Sequence, residues 1–287
     1  MTQDTIKSLV PKFISSLEEK HRSPATILAY KSDLDQLVEF LTKNNIATAD
    51  QITSTHLDTF RDALLSQKYT PKSVSRKLNA VKTFFRYLVQ SGNSTSDPSK
   101  AVTHPKIESS QPKFLTPLEY RALRDAVRGD NRISAIIELI LQTGLRISEV
   151  ASLKISDMDG DVLKIDSYAT QPARSIPLNK FAKAALETYI PQRPKVDSPY
   201  VFVSKTGKPL AVRNIRAAVD RFIQKAELPK YSVNDLRTTF IVENIKNEVD
   251  LVLISQVSGH KRLSTTERYL ELAGVKEPGK KQLLTEL

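Results

Sequence analysis

Four short stretches of the 287-residue chain place chemically useful side chains at helix starts or beside turns. Thr143-Gly144-Leu145-Arg146-Ile147-Ser148-Glu149-Val150 sets an arginine where a chain reversal meets a new helix. Asn234-Asp235-Leu236-Arg237 sets a second arginine at the start of another helix. Gly259-His260 ends a helix with an imidazole, and Tyr269 follows after Ser264-Thr265-Thr266. Taken singly, each has a bland reading. An arginine beside a glutamate is usually a surface ion pair, a helix-terminal histidine satisfies the dipole, and a lone tyrosine packs in a core. Taken together they are cationic and phenolic groups, an inventory suited to an anionic partner.

Other chemistries find little support. Ser110-Gln111-Pro112-Lys113 and Lys205-Thr206-Gly207 mimic two β-lactamase boxes, but Ser110 falls in a Ser- and Pro-rich stretch and no Ser-Asp-Asn lies between them. There is no G-x-S-x-G elbow, no P-loop and no acid cluster with the spacing of a two-metal nuclease. His21, His56, His104 and His260 lack H-x-x-x-H spacing, which argues against a histidine-built metal site. With no cysteine, disulfides, thiol catalysis and Cys-ligated zinc are excluded, and a reducing compartment fits.

The balance of 43 Lys and Arg against 32 Asp and Glu gives a formal net charge of +11. An excess of that size points to a polyanion, nucleic acid ahead of an anionic membrane surface. At 26% charged and 40% hydrophobic residues the chain is globular, not a disordered basic tail. The N-terminus, MTQDTIKSLVPKF, has no apolar signal region, and no run reaches the ~18 apolar residues of a membrane span. The expectation is a soluble, cytoplasmic protein with no membrane partner.

These groups need a scaffold, and the periodicity predicts a mostly α fold with a small antiparallel β-sheet. Residues 1–92 read as four helices. Ile6, Leu9, Val10, Phe13, Ile14 and Leu17 follow a 3.6-residue period, and Ser23-Pro24 starts a second helix with Ile27, Tyr30, Leu34, Leu37 and Leu41 inward. Leu57, Phe60, Leu64 and Leu65 mark a third. Thr70-Pro71 caps a fourth, with Val74, Leu78, Val81, Phe85 and Leu88 inward. Opposite that stripe lie Lys72, Arg76, Asn79, Thr83 and Arg86. Residues 61–90 hold seven basic side chains, Lys82 among them, against the single acid Asp62. A solvated face is the plain alternative, but the chain-wide charge favours phosphate contact by Lys72, Arg76, Lys82 and Arg86.

Residues 93–114, rich in Ser and Pro, read as an extended linker, and 115–287 as a second domain. Thr116-Pro117-Leu118-Glu119 is a capping box. Helices are predicted from Ile133 to Gln142, from about Arg146, over 211–226, 233–246 and 250–257, and after Ser264. Residues 161–168 and 173–178 read as a hairpin, and Tyr200-Val201-Phe202-Val203 as a short strand. Both halves are basic, +4 over residues 1–110 and +7 over 111–287, so a nucleic-acid contact would be shared.

TGLRISEVASL (143–153), ARSIPL (173–178), NDLRTTF (234–240) and VSGHKRLSTTERYL (257–270), in this order, resemble the catalytic domain of tyrosine site-specific recombinases, the phage integrase family. Its Xer-type members are nearest in size and layout. SPATILAYKSDLDQLVEFL and SVSRKLNAVKTFFRYL are similar to the family's helical core-binding domain. The resemblance covers nearly the whole chain.

The resemblance implies a phenol attacking a DNA phosphodiester to give a 3′-phosphotyrosyl link and a free 5′-hydroxyl, reversed by a second strand's hydroxyl, with no metal, ATP or other cofactor. Tyr269 matches the nucleophile. With an unperturbed pKa near 10, forming phenolate at pH 7 costs about 4 kcal/mol, so neighbours must lower that cost. Arg146 and Arg237 match the clamp on the non-bridging oxygens. His260 matches a hydrogen-bond donor or proton acceptor near the phenol. Glu149 matches a supporting acid. The implied partner is double-stranded DNA with an inverted-repeat core site, bound by a homo-tetramer as one dimer per site.

Two positions depart from the pattern. The histidine that opens the family's H-x-x-R box is Asn234, which joins the catalytic set as an amide able to donate but not to carry a proton. The hairpin lysine, the family's general acid, should fall near Ala169, where none stands; Lys164 and Arg174 are the substitutes. After Tyr269, Pro278-Gly279 breaks the chain and KKQLLTEL forms a short amphipathic piece, read either as a frayed terminus or as a helix docking on a neighbouring protomer. The function expected is a site-specific DNA recombinase for integration, excision or resolution. The competing readings are a type IB topoisomerase-like enzyme and a catalytically weakened DNA-binding module.

Overall fold

The computed structural model describes residues 4–108, 111–167 and 171–287. The chain divides into two compact units, Met1–Ser109 and Ser110–Leu287.

The first unit is built on α1 (Ile6–Glu19), α2 (Pro24–Lys43), α3 (Ser54–Ser66) and α4 (Pro71–Gln90). Thr5, Ser23, Thr53 and Thr70 each accept a backbone N–H of the first turn, and α2 and α4 open on proline, whose fixed φ suits that position. The apolar stripes meet in one core that includes Leu9, Phe13, Leu34, Leu57, Leu78 and Phe85. Phe84 is buried beside Phe85 and packs on Phe13, so the inward face of α4 is wider than its strict stripe. Lys77 is buried as well. Its ammonium lies 2.9 Å from the buried carboxylate of Asp33 on α2, which also takes both terminal nitrogens of Arg76. A buried carboxylate without such partners would be very costly.

The stretch predicted as a linker is partly structured. Asp97 caps a 3-10 turn, Pro98–Ala101, and Val102 enters the first core. Arg61 donates to the carbonyl and hydroxyl of Thr103 at 3.2 and 2.8 Å, and Lys82 to the carbonyl of Val102 at 3.1 Å. Few large apolar residues made this stretch look free, but its polar backbone finds donors on α3 and α4.

The second unit contains α5 (Pro117–Val127), α6 (Asn131–Thr143), α7 (Ile147–Ser152), β1 (Met158–Asp159), β2 (Val162–Ile165), β3 (Arg174–Pro177), α8 (Lys180–Tyr189), α9 (Val212–Lys225), α10 (Val233–Lys246), α11 (Leu251–Ser258) and α12 (Leu263–Ala273). The sheet is antiparallel in the order β1-β2-β3, with Leu163 opposite Ile176 and Ile165 opposite Arg174. Helices α6 and α10 are buried on nearly every side and form the centre of the core. Gly144, at φ +64°, ends α6 in the left-handed region, and a side chain there would collide with the Phe240 ring of α10.

Two expectations are corrected, and one helix is added. Tyr200–Val203 is not a strand: it makes only single bridges, Tyr200 to Lys154 and Val203 to Pro209, because the turn at residues 205–207 leaves it no partner of its own length. Helix α8 was not anticipated, although Asn179 caps it and Ala182, Leu186 and Tyr189 follow helical spacing. The KKQLLTEL piece is neither helical nor frayed. It runs extended along its own unit, with Gly279 and Lys281 bridged to Asp250 and Val249, and the Leu287 side chain buried. A Cβ at Gly279 would collide with the Glu248 backbone, so only glycine permits this approach.

Candidate active site

The C-terminus of α11 organises the site. A helix end leaves carbonyls without intrahelical partners and carries partial negative charge. Here three arginines from three elements fill those acceptors. Arg174 of β3 donates Nε to the Val257 carbonyl at 2.7 Å. Arg146, the N-cap of α7, donates Nη1 to Ser258 at 3.1 Å and Nη2 to Gly259 at 2.9 Å. Arg237, in the first turns of α10, donates Nη2 to Ser258 at 2.6 Å and Nη1 to the Gly144 carbonyl.

Glu149 sits among them, nearly buried, accepting from both terminal nitrogens of Arg174, from Arg146 Nη1 and from the Arg146 backbone. Burial alone would raise its pKa; the Arg174 hydrogen bonds, then the Arg146 backbone, outweigh that and keep it ionised. Burial, followed by repulsion from Arg146, lowers the pKa of Arg237, which remains cationic at neutral pH.

Arg146, Asn234, Arg237 and Tyr269 line one cleft of about 350 Å³. Asn234 is exposed at its mouth, and its side chain makes no hydrogen bond among the described residues. Tyr269 is half-buried, its ring packed against the core and its face parallel to the His260 ring, with centroids 6.3 Å apart. His260 follows Gly259, which ends α11 at φ +64°; the His260 N–H closes back on the Ser255 carbonyl at 2.9 Å. Its Nδ1 lies 2.8 Å from the hydroxyl of Thr266. Burial, then Arg237, Arg146 and Arg174, push its pKa down to about 4, so the ring is neutral at pH 7.

All six residues singled out in the second half are thus brought together: Arg146, Glu149, Asn234, Arg237, His260 and Tyr269. Residues 168–170, where the resemblance places the lysine, lie outside the described residues. Lys164 is exposed and pairs with Asp159 at 2.7 Å. Arg174 has all three nitrogens engaged with Glu149 and Val257. Sequence reasoning missed Thr266 and the α11 carbonyls; the only available signal was the Thr pair between His260 and Tyr269. In the first unit, Lys72 and Arg86 are exposed without an ion pair among the described residues. Arg76 is held by Asp33 and Lys82 by Val102.

Two guanidiniums and a phenol line one cleft, and a neutral imidazole lies parallel to the phenol ring. The Phage integrase family model matches residues 113–274, and the model of the phage integrase N-terminal SAM-like domain matches 10–92. Tyrosine recombinase XerC of Halalkalibacterium halodurans is 30% identical, over 88% of each chain. Tyrosine recombinase XerC of Lactobacillus delbrueckii subsp. bulgaricus is 31% identical over 93% of this chain and 95% of the relative. The chain belongs to the phage integrase family, and its activity is site-specific recombination. Among solved structures, XerA recombinase matches with a TM-score of 0.53 at 26% identity, over 92% and 93% of the two chains. A lambda integrase dimer bound to a COC′ core site shares the fold, with a TM-score of 0.75 at 17% identity over 91% and 97%. No helix among the described residues is long and apolar enough to cross a membrane.

Proposed function

We propose that the chain cleaves and rejoins DNA strands in the cytoplasm through a 3′-phosphotyrosyl intermediate on Tyr269. The reading rests on one observation: Tyr269 opens into the same cleft as Arg146 and Arg237. Both guanidiniums are anchored by the α11 carbonyls yet keep N–H donors for a phosphate. Their charge suits the transition state, in which a five-coordinate phosphorus accumulates negative charge on its non-bridging oxygens. Asn234 supplies an amide donor at the cleft mouth, His260 a ring nitrogen beside the phenol, and Glu149 holds Arg146 and Arg174 in place. Lys72, Arg76, Lys82 and Arg86 contact phosphates, Arg76 in the orientation Asp33 imposes. The substrate is double-stranded DNA with an inverted-repeat core site, bound as one dimer per site and a tetramer at synapsis. In support, a lambda integrase tetramer has been solved on a Holliday junction.

The test is a nicked suicide substrate carrying candidate inverted repeats. Wild type forms a covalent protein–DNA band and Tyr269→Phe does not. Tight binding without the band would make the chain a DNA-binding module, the reading that Asn234 motivates. Relaxation of supercoiled DNA by the monomer, without strand exchange, would favour a topoisomerase-like role.

A further inference from the structure

Thr266 is fully buried in α12, and its hydroxyl makes a single hydrogen bond among the described residues, to His260 Nδ1 at 2.8 Å. A hydroxyl has one proton, and two arrangements are available. If Nδ1–H donates to the threonine oxygen, the threonine proton must find another acceptor, and none lies within reach among the described residues. A buried donor would then be stranded, at a cost comparable to a lost hydrogen bond. If the hydroxyl donates to Nδ1, the buried hydroxyl proton and Nδ1 satisfy each other. The neutral ring must then carry its proton on Nε2.

We infer that Thr266 is a positioning residue that holds His260 as the Nε2–H tautomer, so that the imidazole presents a hydrogen-bond donor beside Tyr269 and not a proton acceptor. The inference builds on the proposed role of Tyr269, and it decides between the two roles open to His260. Ring placement and proton placement have separate causes. The left-handed turn at Gly259 and stacking on Tyr269 set where the ring lies; one hydroxyl sets which ring nitrogen carries the proton.

The test needs no DNA for its first arm. In the ¹⁵N-histidine-labelled full chain at pH 7, long-range proton–nitrogen correlation reports each ring nitrogen as protonated or bare, and His260→Gln identifies the signal by its loss. Wild type and Thr266→Ser should show a protonated Nε2 and a bare Nδ1, whereas Thr266→Val should populate the Nδ1–H form. In the second arm, covalent complex formation should fall in Thr266→Val by up to about a hundredfold to a thousandfold, the loss expected when one donor to developing charge is removed. It should recover in Thr266→Ser. A wild-type spectrum with Nδ1 protonated overturns the inference, as does a folded Thr266→Val with unchanged spectrum and rate. Should Thr266→Val not fold, the wild-type and serine spectra still decide. A covalent band persisting in Tyr269→Phe would sink the proposed role of Tyr269 while leaving the tautomer measurement standing.

Discussion

Both oxygens of the Glu149 carboxylate lie 2.9 Å from the terminal nitrogens of Arg174, a forked pair joining the first turn of α7 to strand β3. Both side chains are more than nine-tenths buried. Removing one partner leaves the other charge stranded, and Arg146 compensates only in part. Arg174→Ala should therefore destabilise the second unit by about 3 kcal/mol, read by denaturant unfolding. Arg174→Lys, which cannot make the fork, should fall between. A stable Arg174→Ala that also retains full cleavage would show that the pair neither braces the fold nor the clamp.

Gly259 is the second sensitive point. A Cβ there would lie 2.8 Å from Arg174 Nη1 and 3.1 Å from Arg146 Nη1, at a backbone φ of +64°. Gly259→Ala should cost about 1–2 kcal/mol in backbone strain and displace both guanidiniums. Covalent complex formation should drop more than stability does; an equal drop in both would mean simple unfolding.

In the first unit Lys72 and Arg86 should behave differently from Arg76. Lys72→Ala and Arg86→Ala remove exposed charges without an ion pair and should each lower the salt slope of DNA binding by about 0.9, with unchanged melting. Arg76→Ala should lower the slope and also weaken the fold, since Asp33 loses its forked partner. Asp33→Ala strands the buried Lys77 and should cost about 3–5 kcal/mol. If Arg76→Ala leaves the slope unchanged, that side chain braces α2 against α4 and contacts no phosphate.

The imidazole gives a pH dependence with a definite sign. Its pKa falls from 6.5 to about 4 on folding, so the unfolded chain binds more protons between those values. The stability it contributes is fully present above pH 6.5 and is lost as pH drops through the folded value. The His260 ring resonances should not titrate between pH 5 and 8, and unfolding free energy should fall less from pH 7 to pH 5 in His260→Gln than in wild type. A titration midpoint near 6.5 would contradict the burial and the three facing arginines.

Most helices of both units were legible, because caps such as Thr70-Pro71 and Thr116-Pro117 act within one turn and apolar spacing repeats within one helix. The misses share a cause. Val102, Tyr200–Val203 and the tail are ordered by partners distant in the chain, such as Leu287 through Gln142 and Arg124. Lys77 looks like one more basic residue of α4 until Asp33 is found beneath it.

From sequence alone came the two-part helical plan, the anionic partner and the six polar residues now found in one place, since residue type and local period are properties of short windows. Folding alone decided that the end of α11 gathers three arginines, that Arg174 is spent on Glu149, and that a threonine orients the imidazole. Hydrogen bonds of that kind depend on ångström distances between segments far apart in the chain, and no local pattern encodes them.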